Sequence, residues 1–238
     1  MNNIPDVIIL AGGLGTRLRS VIGENKQKVI VDVLDKPFIL YILDELILHK
    51  FERIILALGY QSKDVIDCIE RSGYKEKISI IYSIENKPMG TAGAIKNAES
   101  VISTNTILVI NGDTFSKIDY GEILKQYRNR EMKYAILVHK VLDGERYGTV
   151  EFCDTTGQIN SFSEKKSKTC SFVSIGVYLL SVDFLKSLSL GKYSLEVDIF
   201  PNLILNNIVF AIRQDTDFLD IGIPETLKHS SEFLYGDK

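Results

Sequence analysis

Short apolar runs alternate with helically spaced apolar positions along the first 140 residues. The runs predict buried strands at 7–10, 54–58, 78–82, 106–110 and 134–140. The segments between them predict helices at 37–49, 62–71, 90–99 and 119–130. An alternation of this kind predicts a largely parallel sheet with helices on both of its faces.

The pattern changes after about residue 147. Two strands joined by a turn at 154–157 are predicted there, followed in order by strand 171–180, helix 182–188, helix 196–205, strand 207–213, the apolar FLDIG segment and a terminal helix from Pro224. These elements add antiparallel strands and a small lobe. No linker separates the two halves, so residues 1–238 are predicted to form one continuous α/β domain.

The composition is that of an ordinary globular protein, since 45% of the 238 residues are hydrophobic and 25% are charged. A net charge of -3 argues against nucleic acid or an anionic membrane as a partner. The scattered cysteines have no metal-type spacing and fit a reducing compartment. The start MNNIPDVIIL lacks the features of a secretory signal, and no apolar run reaches the roughly 18 residues of a membrane span. We therefore expect a cytoplasmic protein that binds anions through a local cluster of positive charge.

The stretch VIILAGGLGTRLRS places a glycine-rich loop directly after the first predicted strand. A dinucleotide-binding fingerprint needs G-x-G-x-x-G, but Leu18 stands where the glycine after Gly13 and Gly15 would be required. A P-loop needs glycine at its sixth position, which is Arg17 when counted from Gly12. Neither of these two phosphate-binding motifs is present.

The loop nevertheless has the character of an anion site. Arg17 and Arg19 lie in or beside it, and Lys26 and Lys28 follow closely. Four cations beside exposed backbone N–H groups favour a site of the size that a triphosphate needs. The alternative is a strand-to-helix turn without a ligand.

A series of motifs covers essentially the whole chain: LAGGLGTRL, a following lysine and DKPFILYILDEL, then MGTAGAIKNA, VINGDTF, YGTVEF, FSEK, IGVYLL, EVDIFPNL and LDIGIPE. In order and spacing these motifs resemble the sugar-1-phosphate nucleotidyltransferases. Within that family they are most similar to the short guanylyltransferases of D-glycero-α-D-manno-heptose 1-phosphate. The resemblance implies a three-layer α/β/α Rossmann-like fold with a mostly parallel mixed sheet and a small antiparallel sugar-binding lobe. Residues 1–115 would then be the nucleotide-binding half and 116–238 the sugar-phosphate-binding half.

The resemblance also implies a reaction. A sugar 1-phosphate oxygen attacks the α-phosphorus of a nucleoside triphosphate, and pyrophosphate leaves. Arg17 is assigned to the β- and γ-phosphates, whose oxygens its planar guanidinium matches, and Lys28 to the phosphates at the reacting centre. The rest of the loop region is assigned to the nucleotide, through Leu10, Ala11, Gly12, Gly13, Gly15 and Thr16.

Two aspartates follow apolar strands and are candidate metal ligands. Asp113 ends VINGD, and Asp220 lies in FLDIG. Acidic residues at the carboxyl edge of a strand face the crevice where α/β sheets bind ligands. Brought together by the fold, the two carboxylates could hold Mg²⁺ between the α-phosphate and the sugar phosphate. Asp113 is therefore assigned as catalytic as well as metal-binding. The alternative is that each aspartate is a cap or turn residue.

Base recognition is assigned to residues 85–93, where the resemblance places Pro88 and Gly90 along the base, and Thr91 is assigned to the nucleotide with them. An ionised Glu85 can only accept hydrogen bonds. Guanine offers it two neighbouring donors, N1–H and the exocyclic amine. This favours GTP as the nucleotide, provided that Glu85 does not face solvent.

The acceptor is assigned to the second half of the chain. The residues implied by the resemblance are Gly148, Glu164, Lys165, Glu196 and Asp198. Lys165 is similar to a lysine that binds the phosphate of the acceptor, and Glu164 would contact sugar hydroxyls. Glu196 and Asp198 could face the sugar or simply begin a helix, and Arg213 could assist with phosphate.

The sequence departs from the family pattern next to the candidate catalytic lysine. The family's P-K-P is Gln27-Lys28-Val29 here, so both prolines are absent and a less pre-organised loop is predicted. Ser174 stands where many relatives have an Asn or Thr that contacts the sugar. Neither departure removes a charged catalytic group, so an active enzyme is predicted.

The expected ligands are therefore GTP, a heptose 1-phosphate and Mg²⁺. Dimers are common for this architecture, so a second copy of the chain is a further expected partner. One alternative is thymidylyl, uridylyl or cytidylyl transfer to another sugar 1-phosphate, such as that of glucose or mannose. A second alternative is a non-catalytic nucleotide-sugar sensor built on the same fold.

Overall fold

The strands form one large mixed sheet and two short ribbons in the described part of the chain. The computed structural model describes residues 4–13, 15–23, 26–144, 146–164 and 170–235. The strands are β1 (Asp6–Ala11), β2 (Asp32–Val33), β3 (Lys36–Pro37), β4 (Arg53–Leu58), β5 (Ser79–Ile84), β6 (Thr106–Asn111), β7 (Thr114–Ser116), β8 (Tyr134–Val141), β9 (Gly148–Phe152), β10 (Ile159–Glu164), β11 (Ser171–Ser181), β12 (Val209–Gln214) and β13 (Phe218–Asp220). Strand β2 pairs with β3 and β7 with β13, and the remaining strands form the large sheet.

Helices connect most of these strands. The α-helices are α1 (Arg19–Ile22), α2 (Phe38–Leu48), α3 (Ser62–Arg71), α4 (Gly90–Asn97), α5 (Tyr120–Asn129), α6 (Phe200–Leu205) and α7 (Pro224–Tyr235). The segment predicted as a helix at 182–188 is a 3₁₀ helix, Val182–Ser187. None of the helices found in the described residues is long and apolar enough to cross a membrane.

Strand β1 lies at the centre of the parallel part of the sheet. It pairs in parallel with β4 and with β6, so that Val7 lies opposite Ile54 on one side and Leu108 on the other. Strand β5 continues the parallel arrangement beyond β4. The carboxyl ends of these four strands therefore meet at one edge of the sheet, where α/β folds form their ligand sites.

Successive residues of β1 enter two different hydrophobic cores. Val7 and Ile9 pack with apolar residues of α2, α3 and α5, whereas Ile8 packs with those of α4 and α6 on the opposite face. A strand covered on both faces requires the continuous apolar run seen at this position. The predicted three-layer α/β/α fold is confirmed.

The antiparallel strands of the second half extend the large sheet. The long strand β11 runs antiparallel to β6 through residues 177–181 and to β8 along its other side. Near its beginning, Val173 pairs with Thr149 of β9, which forms a hairpin with β10. Between these regions the register shifts, and Gly176 adopts a φ of 71°, which glycine reaches without strain. The predicted antiparallel hairpin is present, and it belongs to the large sheet rather than to a separate one.

The segment predicted as one helix at 196–205 is divided into two parts. It begins as a π-helical turn, Leu195–Ile199, and α6 follows it. Pro201 stands at the start of α6 and has no backbone N–H to donate to the preceding turn. Regular α-helical bonding therefore cannot continue through the junction.

The packing of α2 can be tested with two leucines of the same helix. Leu43 is fully buried, whereas Leu48 is 71% exposed. Leu43→Ala is expected to lower the free energy of unfolding by about 2–5 kcal/mol, because it removes buried apolar atoms and leaves a cavity. Leu48→Ala should change that free energy by less than about 0.5 kcal/mol. Urea unfolding followed by circular dichroism measures both values, and equal losses would contradict this orientation of the helix.

Candidate functional site

Three cavities meet at the carboxyl edge of the parallel strands. The α4 cavity, about 360 Å³, lies between the glycine loop (residues 12–17) and the beginning of α4. The hairpin cavity, about 190 Å³, lies against β9 and β10, and the loop cavity, about 250 Å³, lies along the glycine loop. Asp113 lines all three cavities. Ligands bound in the three cavities could therefore meet at its carboxylate.

Asp113 reaches this junction because β6 ends beside β1. Leu10 pairs with Asn111, and the N–H of Gly112 then donates to the Leu10 carbonyl at 3.0 Å. A β-carbon on Gly112 would lie only 2.9 Å from that carbonyl oxygen, so a larger residue could not make this approach without a shift of the backbone. The tight turn places Asp113 at the edge of the sheet.

Asp220 comes to the same place from the other end of the chain. Strand β13 pairs with β7 so that Asp220 lies opposite Thr114, and the N–H of Ile221 donates to the Asp113 carbonyl at 3.0 Å. Burial raises the pKa of the Asp220 carboxyl, and the negative charge of Asp113 raises it further. An N–H bond from Gly222, at 2.6 Å, acts in the opposite direction. The two carboxylates therefore interact electrostatically although they are far apart in the sequence.

Lys28 supplies positive charge at the junction. Its Nζ forms an ion pair with the carboxylate of Asp113, and its side chain lines both the α4 cavity and the loop cavity. The stem of the lysine lies against the glycine loop, since a β-carbon on Gly15 would be 3.6 Å from the Lys28 Cβ. Lys28 thus connects the loop to the first aspartate.

The glycine loop brings a second cation to the loop cavity. Arg17 lines that cavity beside Thr16 and is exposed. Lys26, by contrast, pairs with Asp32 at 3.4 Å and does not line any of the three cavities. The side chain of Arg19 lies outside the described part of the structure. Of the four cations suggested by the sequence, Arg17 and Lys28 are the ones found at a cavity.

The α4 cavity contains a partly buried carboxylate. Glu85 lines it, and its Oε2 accepts a hydrogen bond from the N–H of Met89 at 3.1 Å. Burial raises the pKa of the Glu85 carboxyl. The other predicted nucleotide residues on this wall are Leu10, Gly12, Gly13, Pro88, Gly90 and Thr91. Ala11, which was also assigned to the nucleotide, is buried in the core instead.

A segment of the second half closes the α4 cavity and brings a lysine to it. The carbonyl of Tyr193 accepts hydrogen bonds from Ala92 and Gly93 at 3.0 and 3.1 Å, and the Tyr193 N–H donates to Met89. Lys192, next to this tyrosine, lines the cavity and has no ion pair or hydrogen bond to another described residue. Sequence reasoning missed Lys192, because no motif surrounds it and its position depends on contacts between distant segments.

Glu196 lies between the α4 cavity and the hairpin cavity. Its carboxylate accepts hydrogen bonds from Thr91 Oγ1 at 3.0 Å, Ser194 Oγ at 2.8 Å and Tyr178 Oη at 3.1 Å. Burial, followed by the charge of Glu196, raises the pKa of Tyr178 well above its ordinary value, so the phenol remains a donor. Glu196 therefore lines the hairpin cavity in a fixed orientation.

The rest of the hairpin cavity combines aromatic rings with one arginine. The ring of Phe162 lies diagonally across the hairpin from Gly148, and a β-carbon on Gly148 would lie 2.6 Å from the phenyl ring. Tyr147 and Phe218 pack edge to face, with ring centroids 5.1 Å apart. Arg146, another residue missed from the sequence, is exposed and also lines this cavity. Its position directly before YGTVEF was the available signal.

Several predicted residues are not gathered at the cavities. Asp198 is exposed, and its carboxylate accepts a hydrogen bond from the N–H of Ser194 at 2.7 Å. Arg213 pairs with Asp154 and stacks on aromatic rings away from the three cavities. Lys165 lies outside the described residues. Glu164 ends β10 opposite Gly148, and its side chain is likewise not described.

The residues that could hold a divalent cation are the two aspartates. Asp113 and Asp220 both line the loop cavity and the hairpin cavity. Mg²⁺ in proteins prefers one or two carboxylates together with phosphate oxygens and water, which fits this donor set. No cluster of three or more His, Cys, Asp or Glu side chains suited to a metal occurs among the described residues.

Comparisons with known proteins give a consistent result. A family model described as nucleotidyl transferase matches residues 6–235. The chain is 33% identical over 230 residues to the D-glycero-alpha-D-manno-heptose 1-phosphate guanylyltransferase of Aneurinibacillus thermoaerophilus, covering 96% of this chain and 98% of that protein. It is 35% identical over 225 residues to the protein of the same name from Campylobacter jejuni, covering 93% and 96%.

A solved structure shares the fold over nearly the whole chain. HddC from Yersinia pseudotuberculosis complexed with GMP-PN superimposes with a TM-score of 0.86 at 34% sequence identity. The alignment covers 97% of this chain and 100% of HddC. The similarity therefore extends over both the glycine loop and the second half of the chain.

The partial burial of the Glu85 carboxylate can be tested through pH. Because burial raises its pKa above the ordinary 4.5, protonated Glu85 favours folding, and this contribution is lost as the pH rises through the folded-state pKa. Glu85→Gln stays neutral. The free energy of unfolding of Glu85→Gln minus that of the wild type is therefore expected to rise between about pH 4 and pH 7. Urea unfolding without nucleotide at both pH values measures the change, and a constant difference would contradict the assigned burial.

Proposed function

The chain belongs to the nucleotidyl transferase family, and from this premise we propose that it transfers a guanylyl group from GTP to D-glycero-α-D-manno-heptose 1-phosphate, with release of pyrophosphate. The observation that carries the proposal is the meeting of three cavities at Asp113. A nucleotidyl transfer needs a base site, a triphosphate site and an acceptor site that share one reacting centre. The α4, loop and hairpin cavities are suited to these three roles.

The α4 cavity is suited to the guanosine part of GTP. Its lining includes both the cationic Lys28 and the carboxylate of Glu85. A carboxylate can accept two hydrogen bonds side by side, which guanine can donate from N1–H and its exocyclic amine. Two relatives that the chain matches over nearly their whole length are guanylyltransferases, which supports the same base.

Charge neutralisation is the main requirement of the proposed reaction. An anionic oxygen must attack a phosphorus atom that is surrounded by negative oxygens, so cations must screen both partners. Arg17 in the loop cavity would hold the β- and γ-phosphates and stabilise pyrophosphate as it leaves. Lys28 would contact the phosphates at the reacting centre. No covalent enzyme intermediate is required.

Mg²⁺ is the proposed cofactor, held by Asp113 and Asp220. It would neutralise the charge on the reacting phosphates when bound. Burial and then the negative charge of Asp113 raise the pKa of Asp220, and a cation held by both carboxylates would relieve that repulsion, which supports this role.

The hairpin cavity is the proposed acceptor site. Glu196 and the Gly148 backbone would contact sugar hydroxyls, and Arg146 would contact the acceptor phosphate. Lys192, which lines the α4 cavity without a partner among the described residues, would reach a phosphate from the nucleotide side. The heptose itself is proposed from the named relatives. The aromatic rings of the cavity offer flat surfaces for a sugar.

A panel of nucleoside triphosphates and sugar 1-phosphates, read by pyrophosphate release, tests the proposal. GTP with the heptose 1-phosphate should give the highest kcat/KM. Glu85→Gln is expected to lower kcat/KM for GTP by about 10–100-fold, because bonds to a charged acceptor are lost, and to affect UTP far less. Equal losses for both nucleotides would refute the base assignment. Tight nucleotide binding without turnover of any pair would indicate a sensor instead of an enzyme.

The proposed metal site has its own test. Asp113→Ala is expected to lower kcat by about a thousandfold or more at saturating Mg²⁺, since it removes a carboxylate from the reacting centre. Asp154→Ala is the matched control, because Asp154 is exposed and lies away from the cavities. Pyrophosphate release across a Mg²⁺ titration measures both variants. Near wild-type turnover by Asp113→Ala would overturn the metal assignment.

A further inference from the structure

A buried glutamine occupies the place of the first family proline beside Lys28. We propose that Gln27 is a positioning residue of the triphosphate site, whose amide holds the glycine loop and Lys28 in the arrangement that receives GTP. The inference rests on the proposed function for the identity of the nucleotide. Its structural basis is independent of which sugar accepts the nucleotidyl group.

The side chain of Gln27 is buried, and both polar atoms of its amide are hydrogen-bonded. Gln27 is only 1% exposed. Its two Nε2–H groups are shared among three carbonyls, those of Gly13 and Tyr60, both at 3.0 Å, and that of Ala11 at 3.2 Å. Its Oε1 accepts the N–H of Lys28 at 2.8 Å. One amide therefore joins the glycine loop, the loop after β4 and the backbone of the catalytic lysine.

These bonds fix the direction of the peptide groups in the glycine loop. The C=O and N–H of a trans peptide point in opposite directions. Holding the Ala11 carbonyl on Gln27 therefore turns the N–H of Gly12 away from Gln27. Gly12 and Gly13 both line the α4 cavity, where such donors would serve the nucleotide.

The backbone of Gln27 has the conformation that proline would impose. Its φ is -77° and its ψ is 130°, whereas a proline ring holds φ at about -65°. The N–H of Gln27 makes no backbone hydrogen bond within the described residues. The side-chain amide thus replaces the covalent restraint of the ring with hydrogen bonds. The sequence predicted a less pre-organised loop after loss of the prolines, and the structure provides this compensating restraint.

The restraint acts directly on Lys28. Gln27 caps the 3₁₀ helix Lys28–Ile30 by accepting the N–H of its first residue. Val29, at the position of the second family proline, is fully buried and so anchors the other side of the lysine. With both neighbours fixed, the stem of Lys28 lies along the glycine loop and its Nζ reaches Asp113.

Three substitutions separate positioning from simple packing. Gln27→Ala removes the amide, Gln27→Glu keeps the size but cannot donate when ionised, and Gln27→Pro keeps the backbone angle alone. The Ala and Glu variants are expected to raise KM for GTP and lower kcat/KM for GTP by about 10–100-fold, given the loss of several buried hydrogen bonds. KM for the sugar 1-phosphate should change less than about twofold. Gln27→Pro should lie between wild type and Gln27→Ala.

Asn97→Ala provides a matched control. The Asn97 amide also bonds a backbone carbonyl, that of Ile84 at 3.2 Å, but it does not line the α4, hairpin or loop cavity. This variant should lower the melting temperature with little effect on KM for GTP. If the Gln27 variants lose no more GTP efficiency than Asn97→Ala, or if KM rises equally for both substrates, the inference is wrong.

Kinetics of Gln27→Pro and calorimetric measurement of GTP binding cover two cases, a Gln27→Ala variant that does not fold and a wild type that has no turnover. If Gln27→Ala does not fold, Gln27→Pro is compared with the wild type, and a rise in KM for GTP alone supports positioning. An unchanged KM for GTP overturns it. Calorimetric titration with GTP is run beside the kinetics. If the wild type binds GTP but turns over no acceptor, the proposed function fails, while weaker GTP binding by Gln27→Glu still supports the role of Gln27.

Discussion

The ion pair between Lys28 and Asp113 is the interaction on which the site depends. Asp113 lines all three cavities and Lys28 lines two of them, so the pair stands where two anionic substrates would meet. Asp220 adds a second carboxylate, and its raised pKa reflects both burial and the nearby charge of Asp113. Two carboxylates and one lysine ammonium group do not provide an excess of positive charge. The centre therefore needs additional positive charge to hold phosphates. Arg17 and the proposed Mg²⁺ would supply that charge from the loop cavity side.

The sheet makes this interaction possible because it brings three distant segments to one edge. The parallel pairing of β1 with β6 places the glycine loop beside Asp113, and the short ribbon of β7 and β13 brings Asp220 to the same turn. Gly112 permits the close approach of the two loops. The hydrophobic cores on both faces of β1 hold these strands rigidly, so the loops at their ends start from fixed points.

Hydrogen bonds join the walls of the α4 cavity and the hairpin cavity. Thr91 of α4 and Tyr178 of β11 bond opposite oxygens of the Glu196 carboxylate. The Tyr193 carbonyl accepts the first free N–H groups of α4, which closes the α4 cavity with a segment from the second half. The orientation of Glu196 in the hairpin cavity thus depends on the helix that lines the α4 cavity.

The sequence by itself determined the three-layer fold, the glycine loop and the strand-end aspartate Asp113, because these depend on local periodicity and on short motifs. It did not determine the π-helical start of the 195–205 segment, where Pro201 interrupts the helix. Lys192 carries no local signal, and the positions of Arg146 and of the Gln27 amide at the site follow from contacts with segments far away in the chain. Likewise, Asp198 and Arg213 have suitable chemistry but bond elsewhere. Only the tertiary structure decided which charged groups meet, because strand pairing and packing set distances that sequence spacing does not encode.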